Sequence, residues 1–153
     1  YQRYGDARYL EISRTLWNYI KDKMIYKITS SKTVAFGGVT SNTITSLSIP
    51  KTVKIGKKTY QVTAIASRAF VNRKKLKKVT IGKNITQIGK QAFSGCRILK
   101  SIVIQAQGVK SVGSQALKGI SKNAVIKVPS AMLKTYQKLF KGKGQNGSVK
   151  ITK

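Results

Sequence analysis

The sequence predicts a short α+β repeat protein: a β-solenoid whose turns contribute to a parallel sheet, closed by an N-terminal β-hairpin cap and a C-terminal helix cap. Three observations predict it. A set of seven apolar positions recurs at an offset of 23 residues and, in most of its members, at 24 more. The end of each copy alternates apolar and polar residues with the period of a strand. On either side of the copies the long period disappears, while local strand or helix patterning persists.

The elements follow in order. Tyr9, Leu10, Ile12, Leu16, Trp17, Tyr19, Ile20 and Met24 read as an amphipathic helix or linker over residues 1–25, distinct from a repeat domain over 26–153. That helix either packs on the N-terminal cap or leads in from an upstream domain, and both arrangements stay open. Tyr26-Lys27-Ile28-Thr29 and Thr33-Val34-Ala35-Phe36 read as two strands joined at Ser30-Ser31-Lys32. Ile44, Leu47 and Ile49 mark the strand of a degenerate first repeat, and residues 53–62 a hairpin turning near Gly56.

The full copies then occupy about 62–84, 85–108 and 109–129. Val62, Ile65, Ala69, Phe70, Leu76, Val79 and Ile81 are matched by Ile85, Ile88, Ala92, Phe93, Leu99, Ile102 and Ile104. Val109, Val112, Ala116, Leu117, Ile126 and Val128 continue the pattern, with Asn123 opposite Leu99 and Ala124 placed to fill the gap. The Ala-Phe pair suits a helical turn in which the small residue permits close approach and the aromatic fills the core. One copy cannot bury its own apolar face, but stacked neighbours can. After Pro129, the residues Met132, Leu133, Tyr136, Leu139 and Phe140 share a helical face, with Ser130 expected as N-cap and Gly142 as stop. Residues 149–152 read as a last short strand.

The run Ile-Gly-x-x-Ala-Phe-x-x-Cys-x-x-Leu-x-x-Ile-x-Ile from Ile88 to Ile104 resembles the BspA-type leucine-rich repeat, and the position of Cys96 fits it. The resemblance extends over residues 26–141, with Ile126-Lys127-Val128-Pro129 similar to the family's closing strand. It implies a bacterial-type cell-surface or secreted module that binds or adheres to host or neighbouring-cell components. It implies no catalytic residue. The chain opens on Tyr1, so any secretion signal is expected to lie outside it.

Charge is the second strong signal. Of 153 residues 31 are basic and three acidic, a net charge of +28. Asp6, Glu11 and Asp22 are the three acids. Only Arg3, Arg8, Arg14 and Lys21 precede Lys23, so 27 bases follow with no side-chain carboxylate among them. Such a surface repels itself and attracts polyanions. Six of the bases are arginine and 25 lysine, which favours diffuse attraction over bidentate readout. Arg73, Lys74, Lys75, Lys77 and Lys78 form the densest cluster, an anion-binding surface for wall polymer or glycosaminoglycan, against the alternative of a solvated strand edge.

The catalytic inventory is nearly empty. There is no histidine, no carboxylate pair in the repeats, and one cysteine, so neither an enzyme nor a zinc or calcium site is expected, and no cofactor. No apolar run is long enough to insert into a membrane. An intracellular, basic nucleic-acid-binding protein is the alternative. It is weakened because Phe70 and Phe93 occupy core positions, whereas single-strand binders expose aromatics.

Overall fold

The computed structural model describes Arg3–Tyr4, Ala7–Ser13 and Leu16–Lys21 as backbone strands and residues 23–153 in full. In chain order the strands are β1 (Arg3–Tyr4), β2 (Ala7–Ser13), β3 (Leu16–Lys21), β4 (Met24–Ile28), β5 (Thr33–Val39), β6 (Ser46–Ile49) and β7 (Thr52–Ile55). They continue as β8 (Lys58–Ile65), β9 (Lys78–Ile81), β10 (Gln87–Ile88), β11 (Ser101–Ile104), β12 (Ser111–Val112), β13 (Val125–Lys127) and β14 (Lys150–Thr152), with one α-helix, α1 (Leu133–Leu139).

Each turn as far as β13 places one strand in each of two sheets, and between β13 and β14 the helix α1 stands in place of a second-sheet strand. One sheet runs β14-β13-β11-β9-β6, parallel throughout. Its register aligns Leu47, Val79, Ile102, Ile126 and Ile151 in one row and Ile49, Ile81 and Ile104 in the next. These rows face the core, and every member but the half-buried Ile151 is fully buried. The second sheet carries β5, β8, β10 and β12 in parallel. The β4–β5 and β7–β8 pairs are antiparallel hairpins, the latter turning at Gly56 with φ 64°.

Between the sheets the Ala-Phe segments stack. Phe36, Phe70 and Phe93 are almost fully buried and their rings stack with nearly parallel planes, centroids 5.4 and 5.1 Å apart. The expected helical turn is instead a series of tight i→i+3 turns. Arg68, Gln91 and Gln115 take positive φ at corresponding places, and so do Asn72, Gly95 and Gly119 four residues later. A left-handed residue every four positions stops a helix from propagating. The backbone groups thus freed bond between turns: Phe70 N–H donates to Ala92 O at 2.7 Å and Phe93 N–H to Ala116 O at 2.9 Å. The turns lie so close that a Cβ on Gly89 would come within 2.4 Å of Ser67 N.

The ends bring three corrections. The residues read as an N-terminal helix instead form strands β2 and β3, and β4 crosses the 25/26 boundary. The register Tyr19↔Tyr26 and Ile20↔Ile25 adds β3 to the edge of β4. A dense apolar set satisfies a period of 3.6 and a period of 2 alike, and Tyr, Trp and Ile favour strands when an edge is available. Asp6, Arg14 and Asp22 lie outside the described residues. At the other end Ser130 is not the side-chain cap: it opens a 3-10 turn, Ser130–Met132, and α1 starts after Met132 without a capping side chain. Nor does the strand at Ile126 close the sheet. β14 pairs beyond it, Ile126↔Ile151. One other expectation at this end holds: Ala124 is buried where Leu99 sits one turn earlier, while Asn123 beside it is exposed.

Candidate binding surface

The cluster foreseen around Leu76 splits in two. Lys74, Lys75, Lys77 and Lys78 are exposed, whereas Arg73 is half-buried. Its guanidinium donates through Nη2 to Val39 O at 3.1 Å and through Nη1 to Oδ1 of Asn42. Arg73 therefore clamps this turn to the end of β5, and the lysines form the accessible charge.

The same turn recurs. Leu76 N–H donates to Arg73 O, Leu99 N–H to Cys96 O and Ala124 N–H to Ser121 O, each closing a four-residue turn. Equivalent places in these turns hold Lys74, Arg97 and Lys122 in one row and Lys75, Ile98 and Asn123 in the next, all exposed. Lys100 N–H donates to Lys77 O at 3.0 Å, which sets Lys100 beside Lys77 in the stack. Arg97, Lys100 and Lys122 were missed as members of the cluster because the densest run of lysines lies in one copy. The 23-residue offset, applied to Lys74 and Lys77, would have found Arg97 and Lys100.

The outer face of the β6–β14 sheet is mixed. One row reads Ser46, Lys78, Ser101, Val125, Lys150 and the next Ser48, Thr80, Val103, Lys127, Thr152. A separate open groove of about 630 Å³ lies between α1 and the loop before β12. It has Val109 and Leu139 on its floor and Lys110, Lys134 and Lys138 on its rim.

The polar groups inside the molecule serve the fold. Cys96 is buried and its thiol donates to Phe70 O at 2.9 Å. Burial raises its pKa to about 11, so the reactive thiolate is scarce at neutral pH. The buried Tyr136 donates its hydroxyl to Ala106 O at 2.6 Å and accepts from Val109 N–H at 3.2 Å. Burial raises the pKa of that phenol also. Among the described residues no group of three potential metal ligands gathers, and no helix is long and apolar enough to cross a membrane.

Residues 35–153 match the family model of the BspA type leucine rich repeat region, in six copies. The chain belongs to that family. The resemblance drawn from Ile88 to Ile104 is thereby borne out, as is the solenoid it implied. A leucine rich cell surface protein from Faecalibacterium prausnitzii is similar at 26% identity and a TM-score of 0.62, over 74% of this chain and 37% of that one. Two leucine-rich repeat proteins share the fold. One, from Bacteroides ovatus, has 23% identity and a TM-score of 0.53 over 73% of this chain and 37% of that one. The other, from Bacteroides capillosus, has 16% identity and a TM-score of 0.63 over 88% and 97%. The BspA-type chain thus spans little more than a third of the first two proteins. A comparison with curated proteins finds no match.

Proposed function

We propose that this BspA-type repeat chain is a non-catalytic cell-surface or secreted binding module that presents a lysine-rich exterior to an anionic partner, either a polymer or an acidic host or neighbouring-cell protein. The observation that carries the reading is the charge pattern. A largely apolar core is wrapped in 27 basic residues with no side-chain carboxylate from Lys23 onward, and the lysines around Leu76 project into solvent. Such an exterior draws in polyanions over distances of about a Debye length, roughly 8 Å at physiological salt. Similarity to the Faecalibacterium prausnitzii surface protein supports the location. The lack of histidine, the single deeply buried thiol and the absence of paired carboxylates among the described residues support a role without catalysis.

A competition assay tests this. Heparin, a teichoic acid and double-stranded DNA compete for the chain at about 0.15 M salt, a concentration at which weak non-specific attraction is screened. A surface module retains an anionic wall or matrix polymer under these conditions. Preference for one DNA or RNA sequence would instead establish the nucleic-acid-binding alternative.

A further inference from the structure

We propose that the exposed row Lys74–Arg97–Lys122, with Lys77 and Lys100 beside it and Ile98 at its centre, is a track for a linear anionic polysaccharide laid across successive turns. The inference rests on the polyanion reading above and gives it a place and a ligand class.

The argument starts from the repeat. Stacked turns are spaced as neighbouring strands are, about 4.8 Å apart. Equivalent residues of three consecutive turns therefore fall in a line about 10 Å long. The bonded turns 73–76, 96–99 and 121–124 set a base at the same place in each: Lys74, Arg97 and Lys122. In a parallel line, Lys100 follows Lys77. No carboxylate side chain lies anywhere on the chain after residue 22 to neutralise the row. A linear polymer crossing the turns would meet a cation at each step.

The centre of the track decides which polymer. Ile98 is the exposed large hydrophobic residue among the described residues, at 36% exposure. It holds the same place in its turn as Lys75 and Asn123 hold in theirs, and follows Arg97 along the chain. An apolar side chain ringed by cations and an amide suits a sugar ring: its C–H face rests on Ile98, its hydroxyls meet Asn123, and its anionic substituents meet the bases. Inorganic polyphosphate has no apolar surface to use Ile98. Single-stranded nucleic acid needs exposed aromatic platforms; from Lys23 onward Tyr26, Phe36, Phe70, Phe93, Tyr136 and Phe140 are buried, and Tyr60, half-buried on β8 under Lys58, is not part of the row.

Calorimetry with heparin oligosaccharides of defined length, at about 0.15 M salt, tests the track. The variant Lys74→Gln/Arg97→Gln/Lys100→Gln/Lys122→Gln is compared with the control Lys57→Gln/Lys83→Gln/Lys110→Gln/Lys118→Gln, which removes as many exposed charges elsewhere. Affinity should fall about tenfold or more in the first and less than about threefold in the second, since both lose the same general attraction. Ile98→Ser should weaken the oligosaccharide about threefold and leave polyphosphate binding unchanged, as expected of a lost apolar contact. Equal losses in the two quadruple variants would overturn the track while leaving the polyanion reading intact. Tighter binding of polyphosphate or single-stranded DNA than of heparin would overturn the ligand class. A wild-type chain that binds none of the three would sink the polyanion reading itself.

Discussion

The middle turns and the closing turn fill the same interior by different means. In the middle, Phe36, Phe70 and Phe93 lie face to face, and each turn's backbone bonds to the next. Repetition alone supplies both the plug and the hydrogen-bond partner. At the closing turn Leu117 takes the aromatic position, and Tyr136 from α1 and Phe140 at its C-terminal end form an edge-to-face pair 6.2 Å apart. The tyrosine brings a polar handle, and its hydroxyl bonds both Ala106 O and Val109 N–H. A stack can extend by translation, but it can end only where something outside the repeat covers the apolar face and satisfies the last backbone groups.

Deleting a middle plug should cost most. Phe93→Ala should destabilise the chain by about 3–5 kcal/mol, the range for a buried aromatic that leaves a cavity. Phe70 stacks directly on Phe93, so the loss should be shared between two turns. Chemical denaturation checks it. A change below about 1 kcal/mol would mean that the turns do not share one interior.

At the closing turn a smaller and purely polar effect is expected. Tyr136→Phe keeps the ring and removes the hydroxyl, leaving Ala106 O and Val109 N–H buried without that partner. The cost should be about 1–2 kcal/mol. Hydrogen exchange sharpens the comparison: protection should fall at Val109 and persist at Phe70 and Phe93, whose amides bond to neighbouring turns. Uniform loss of protection would show that the cap and the middle open together.

This contrast also explains what could be read from the sequence. The middle was legible because one physical demand, an apolar residue at a fixed place in each turn, repeats and so stands out from noise. Val79, Ile81, Ile102, Ile104 and Ile126 all fall inward as alternation required. The ends answer to demands that occur once. Strand β3 is a strand because β4 offers an edge, a fact about tertiary pairing that the Tyr19-Ile20 dipeptide does not carry. The left-handed residues Arg68, Gln91 and Gln115 were hidden because none is glycine, the residue that usually announces a positive φ. The basic row lay between these cases. Its repeat was present in Lys74 and Arg97, but the third member, Lys122, sits one residue out of the apolar register, because the turn there closes on Ala124.

The smallest effect probes the exterior. Lys57 is exposed in the β7–β8 turn beside Gly56, so Lys57→Ala removes little contact and should change stability by less than about 0.5 kcal/mol. Its sign carries the information. From Lys23 onward the chain carries no side-chain carboxylate, so the charged residues that flank Lys57 along the chain, Lys51, Lys54 and Lys58, are all basic. Removing Lys57 should therefore stabilise slightly in dilute buffer, and the gain should vanish at about 1 M salt, where the screening length drops to roughly 3 Å. Thermal melts of the variant and the parent across a salt series measure this directly. A gain that persisted at high salt would trace to backbone propensity in the turn, and the mutual repulsion of the exterior would no longer account for it.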